Sequence, residues 1–223
     1  MNIEERNFME EKEYKTISER LKKGSIMIAY RAKYFINVMP APGIDKVKIS
    51  IVKIGTEGKV HNDFYLETYQ FYDLCREIDN GKAARKIAED KEVDEHPTAY
   101  QFTSGENGSK RLYIGKANTG IKVCVNVNNN GWRNMMSIMS ISEFKEMSFY
   151  YQLVMGLIPV QPGSYYDGLI KLFQKGVENI DQKHKNNQNY NSEKTYYNQS
   201  SQKGNSTDDQ RWEQIMQMGT QAG

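Results

Sequence analysis

Hydrophobic positions along this chain change their period, and each change marks a boundary. Residues 2–23 are highly charged, yet Tyr14, Ile17 and Leu21 fall at helical spacing, which predicts an amphipathic helix with a narrow apolar stripe, stopped by Gly24. The period then drops to two. Residues 25–39 read as one long bent strand or two short ones, ended by Pro40, Pro42 and Gly43. Residues 46–54 alternate, with Val47, Ile49 and Ile51 on one face and Lys46, Lys48 and Ser50 on the other. Residues 55–58 predict a hairpin turn and residues 59–66 a returning strand. Thr68 is then placed to cap a helix carrying Phe71, Tyr72, Leu74, Cys75 and Ile78, followed by an acidic, polar connection to Pro97.

The second half repeats this grammar. Strands are predicted at residues 98–103, 111–116, 121–127 and 134–140, with turns at 105–110, 117–120 and 128–131; the Asn130-Gly131 pair tolerates positive φ. Ser140 and Glu143 form a capping box opening a helix with Phe144, Met147, Tyr151 and Val154. Lining the halves up at a shift of 72 residues places Ile49 on Ile121, Ile51 on Val123, Leu66 on Ile138, Thr68 on Ser140, Tyr72 on Phe144 and Cys75 on Met147. The expected fold class is α+β: two β-β-β-β-α modules forming packed antiparallel sheets with flanking helices. The competing reading is that any two meanders followed by a capped helix align loosely.

Past Pro159 and Pro162, Ser164 caps a last helix whose Leu169, Ile170, Leu172, Phe173, Val177 and Ile180 are expected to dock on the core. Of residues 183–206, 13 of 24 are Asn, Gln or Ser, too polar to bury the surface that folding requires. The expected division is therefore an N-terminal helix (1–23), a duplicated domain with its docking helix (24–182) and a disordered tail (183–223). Near the end of the tail Trp212, Ile215 and Met216 recur at i, i+3 and i+4, a short apolar motif on a polar tether.

Whole-chain charge decides little, since 30 Lys and Arg face 28 Asp and Glu, but its distribution is uneven. Residues 25–60 hold Arg31, Lys33, Lys46, Lys48, Lys53 and Lys59 against two acids, a net of +4. Residues 98–134 hold Lys110, Arg111, Lys116, Lys122 and Arg133 against one acid, again +4, whereas residues 67–95 carry nine acids and five bases. Tyr30, Tyr34, Tyr113 and Trp132 interleave with the bases. Cations track phosphates and rings stack on unpaired bases, so such strands suit single-stranded nucleic acid. The bland counterpart is that strands favour aromatic residues, that lysines merely solvate an outer face, and that Trp132 is a packing residue.

Catalytic chemistry finds little footing. His61, His96 and His184 are scattered, the loop at residues 105–110 lacks Walker spacing and a following helix, and neither Cys75 nor Cys124 has a base nearby in sequence or a metal-ligand spacing. The expectation is a protein without enzymatic activity, metal or cofactor. The charged N-terminal residues and the short apolar run at 149–160 predict a cytoplasmic protein without membrane attachment.

The strand sets 25–66 and 98–140, each with basic strands and a helix opening at Thr68 or Ser140, resemble the Whirly proteins and the related transcriptional positive cofactor four family. The resemblance covers about residues 24–160 and lies in pattern alone. It implies two packed sheets and sequence-independent binding of single-stranded DNA along sheet edges, often by an oligomer. The tail is similar in layout to that of bacterial single-strand-binding proteins, which recruit replication or repair partners, although Asp208 and Asp209 precede an amphipathic stretch here. The expected function is thus to coat or protect exposed strands and to recruit a replication, repair or conjugation protein through Trp212, Ile215 and Met216. The expected nucleic-acid contacts are Arg31, Lys33, Lys46, Lys48, Lys53, Lys59, Arg111, Tyr113, Lys116, Lys122, Trp132 and Arg133. Two alternatives stand beside it, an RNA-binding protein and an interaction or structural module of a mobile genetic element, the latter in keeping with heavy use of Asn, Lys, Ile and Tyr.

Overall fold

Alternating strand residues need a second apolar face to bury against, and here each half of the chain supplies the face for the other. The structure is a computed structural model and describes residues 16–55, 60–91, 96–180 and 182. Helix α1 (residues 16–21) leads into β1 (Met27–Tyr30), β2 (Tyr34–Ala41), β3 (Lys46–Lys53), β4 (His61–Glu67), α2 (Thr68–Asp79) and α3 (Lys82–Ala88). Then come β5 (Tyr100–Ser104), β6 (Lys110–Ala117), β7 (Gly120–Asn128), β8 (Trp132–Met139), α4 (Ile141–Val154) and α5 (residues 165–180). The strands form two antiparallel four-stranded sheets, ordered β1-β2-β3-β4 and β5-β6-β7-β8, each a plain meander followed by a helix. The fold is α+β. The chain divides after Glu178, and of the part beyond it only residues 179, 180 and 182 are described.

The inward rows of the first sheet are Ile36 and Val38, then Val47, Ile49 and Ile51, then Phe64 and Leu66; those of the second are Leu112 and Ile114, Val123 and Val125, and Met135 and Met139. All lie in one core, with β2 against β8 and β4 against β6 and β7. Helices α2 and α4 pack on each other. The Phe71 ring meets Tyr151 edge-on at 4.7 Å, and the Ser148 hydroxyl donates to the Asp79 carboxylate at 3.0 Å. Ile17 and Leu21 of α1 join the core, and Leu169 and Phe173 of α5 are buried in it. Helix α5 reaches α1 through Gly176, where an added Cβ would lie 2.5 Å from the Leu21 carbonyl oxygen. Tyr14 lies outside the described residues.

Of the two readings of residues 25–39, the pair of strands holds, as a hairpin. Several other expectations are corrected. Pro40 does not end β2, which runs on to Ala41. Ile26 N–H donates to the Val38 carbonyl at 2.9 Å, so Pro40, two residues on, turns its nitrogen to the same side, beyond the start of β1, where the sheet asks for no donor. The cap of α2 is Glu67, whose N–H donates to the Gln70 side chain at 3.3 Å; Thr68 is already helical and gives its N–H to the Asp45 carbonyl. The connection to Pro97 contains α3, which buries Ala83 and Ile87. Finally, a shift of 72 is one short at the helices. The caps Glu67 and Ser140 are 73 apart, which sets Leu66 on Met139 and Phe71 on Phe144, all four buried. In the middle strands the strand registers give larger offsets, with Val47 on Ile121 and Ile36 on Leu112.

Candidate functional site

Four of the twelve expected contact residues converge on one cleft of about 610 Å³. The first module contributes Arg31 and Lys33 of the β1–β2 turn and Tyr34 at the start of β2; the second contributes Lys116 and Ala117 at the end of β6, Asn118 and Thr119 of the β6–β7 turn, Lys122 of β7 and Met136 to Ile138 of the edge strand β8. Clefts of roughly 300–1,000 Å³ accommodate small organic ligands, so the volume is sufficient for nucleotide-sized groups.

Its walls are held by specific contacts. Asp90, the one acid in the lining, accepts the Thr98 N–H and hydroxyl at 2.7 Å each and the Lys116 N–H at 2.8 Å. That carboxylate fixes the backbone of the turn and leaves the Lys116 ammonium exposed. The arrangement depends on Gly115, because a Cβ there would sit 1.9 Å from Asp90 Oδ2. On the opposite wall Arg31 grips Glu143 through both guanidinium nitrogens, Nη1 lying 3.2 Å from Oε1. Glu143 also accepts the Ser140 N–H at 2.7 Å in the capping box of α4. Burial would raise its pKa, but Arg31 and Ser140 outweigh that and hold the carboxyl below its ordinary range. Lys33 is exposed, and Lys122 is half-buried. Four bases stand against two carboxylates, Asp90 and the Arg31-bound Glu143, and the net of +2 makes the cleft a cationic concavity.

The other expected residues do not share it. Lys46 pairs with Glu67, directly opposite on β4, at 2.7 Å and Lys48 with the diagonal Asp63 at 2.8 Å, so carboxylates of β4 neutralise the lysines on this outer face. Lys53 is exposed at the end of β3, and Lys59 lies outside the described residues. Tyr113 is 9% exposed and stacks on His96 at 4.7 Å, so the connection before β5 covers it and no base can reach that face. Trp132 is 48% exposed with the Arg111 guanidinium 4.5 Å over its ring, so it is a surface ring and not a core residue. Trp212, Ile215 and Met216 lie outside the described residues.

Arg133 has a structural partner. Its Nε donates to Asn62 Oδ1 at 2.6 Å and its Nη2 to the His61 carbonyl at 2.7 Å. Asn62, buried on the inward face of β4, donates in turn to the carbonyls of Val125 and Arg133 at 2.7 Å each. This polar clamp joins the two sheets. Sequence reading missed Asp90, which sits in an acidic run that resembles a solvated connection, and missed the pairing of Glu67, Asp63 and Glu143 with the bases, which depends on strand register and helix docking.

Among the described residues no group of three or more His, Cys, Asp or Glu converges to hold a metal, and no helix is long and apolar enough to cross a membrane. No protein-family model and no curated protein matches the chain.

Proposed function

We propose that the protein binds single-stranded nucleic acid without sequence preference, as a Whirly-like single-strand binder, and that the cleft between the two modules is its principal contact. The observation that carries this reading is the convergence of Arg31, Lys33, Lys116 and Lys122 from opposite modules on one concave surface. Flexible single strands enter such a concavity, and the ammonium groups neutralise phosphates while the walls exclude the stiffer duplex. The exposed Trp132, on the same edge strand β8 that lines the cleft, offers a ring on which a further base can stack. Coating of exposed strands and recruitment of a partner through the C-terminal motif belong to the same proposal.

The test is fluorescence anisotropy with labelled oligothymidine, duplex DNA and RNA over a salt series. Oligothymidine should bind with log K falling against log salt by about 0.7 per phosphate neutralised. Lys33→Gln with Lys116→Gln should lower affinity for every single-stranded sequence alike and flatten the slope by about 1.4. A salt-independent affinity, a preference for duplex, or a double variant that binds as the wild type does would overturn the proposal.

A further inference from the structure

The duplication places a second set of side chains in the positions that line the cleft. The outward row Gly115–Lys122–Ile138 runs across β6, β7 and β8. Carrying Val47 onto Ile121 brings the row Met39–Lys48–Tyr65 of β2, β3 and β4 onto it, residue for residue. The same registers bring Tyr34, which lines the cleft from the other module, onto Lys110. Contacts between modules follow the same rule, since β2 packs on β8 as β6 packs on β4. At this equivalent place Lys48 and Lys110, from different modules, each set an ammonium 5.9 Å from the centre of the half-buried Tyr65 ring.

We infer that Tyr65, Lys48 and Lys110 form a second single-strand site, quasi-equivalent to the cleft, that takes a phosphate between its ammonium groups and a base against the tyrosine. This inference rests on the proposed function of the cleft and adds to it a stoichiometry and a location. Ile138 stands at the position of Tyr65 in the cleft, whose own ring, Tyr34, comes from the opposite module, so here the ring and Lys48 belong to one sheet and stacking is added to charge. It also carries a carboxylate, because Asp63 holds Lys48 at 2.8 Å and lies 3.4 Å from His61 Nε2. The cleft has Met136 at the position of Asp63, and its four bases against Asp90 and Glu143 leave a net of +2, whereas Lys48 and Lys110 against Asp63 leave a net of +1. The second site is therefore the weaker of the two, and one molecule holds two short strands or two stretches of one longer strand.

Isothermal titration of the full-length protein with a four-nucleotide oligothymidylate at low salt tests this, with melting temperatures checked for every variant. Wild type should take two oligonucleotides with unequal affinities. Lys33→Gln with Lys116→Gln should weaken the tighter event, and Lys48→Gln with Lys110→Gln should weaken the other by about tenfold or more. Lys110→Gln alone leaves the Lys48–Asp63 pair in place and should act in the same direction. Tyr65→Leu should weaken the second event while leaving the first unchanged. A single event abolished by Lys33→Gln and Lys116→Gln would overturn the second site and leave the cleft standing. Two events that both survive Lys48→Gln with Lys110→Gln would also overturn it, and no binding by wild type would remove both sites.

Discussion

Replacing Arg133 with alanine should lower the stability of the protein and leave its affinity for a single strand almost unchanged. Its guanidinium satisfies the Oδ1 of an Asn62 side chain that is 1% exposed, and it also bonds the His61 carbonyl at the sheet edge. After truncation the edge carbonyl is rehydrated, whereas a buried amide oxygen left unpaired costs about 1–3 kcal/mol. A loss of about 2 kcal/mol follows, which for a chain of this size lowers Tm by roughly 4–8 °C. Asn62→Ala strands the Val125 and Arg133 carbonyls and the Arg133 Nε, so it should cost about 3 kcal/mol. The double variant should cost about 1–2 kcal/mol less than the sum of the two, because each change removes the partner that the other leaves unsatisfied. Urea unfolding of the four proteins in this cycle measures the coupling, and oligothymidine anisotropy is read in parallel. Additive losses, or a tenfold drop in affinity of Arg133→Ala at unchanged stability, would refute the clamp and return Arg133 to the binding surface.

Gly115→Ala should expel the Asp90 carboxylate from the Lys116 turn, since the new methyl has no room beside Oδ2, and should reduce both Tm and oligothymidine affinity; a variant matching wild type in both would refute that account. Burial works to raise the Glu77 pKa, but bonds from Lys82, Lys86 and Tyr100 overcome it and hold the carboxyl at about 2. Because the folded value lies below the unfolded one, this contribution is full above the ordinary carboxylate range and is lost as pH falls from about 5 towards 2, roughly 1–2 kcal/mol after screening at its partly exposed site. Comparing urea midpoints of wild type and Glu77→Gln at pH 7 and pH 3 checks this, the gap between them closing in acid.

The strands were legible because each carries its apolar residues on one face, as Val47, Ile49 and Ile51 do, and the Ser140–Glu143 box announced α4 directly. Helix α3 was hidden, since Ala83 and Ile87 are its only buried residues and they lie in a polar run. A single offset could not align the modules because the connecting turns differ in length, so the correspondence slips from strand to strand while the inward rows stay matched. The site was half legible. Composition marks both strand sets as basic, but whether a lysine is open or neutralised depends on its cross-strand neighbour. Lys46 faces Glu67 and Lys48 reaches the diagonal Asp63, whereas Lys33 sits in the β1–β2 turn and Lys116, near the end of β6, faces the apolar Ile121. Tyr113 shows the same limit: its row is outward, but the connection carrying His96 folds over it.

Every strand in both sheets pairs only with its neighbour in sequence, and this constrains how the chain acquires its structure. Each meander closes through short loops, whose formation takes about 10–100 ns for ten residues, so either sheet can zip without waiting for the other. Neither sheet can stay zipped alone, because its inward row has no cover until the other arrives. Docking of the halves is then the event that commits the chain, and the Asn62 clamp forms only at that moment. The contact of Gly176 with the end of α1 spans about 150 residues, yet loop-closure entropy grows only logarithmically, so once the halves are joined this last seam adds little delay. Substitutions at Asn62 should thus slow folding, whereas a bulky residue at Gly176 should chiefly hasten unfolding.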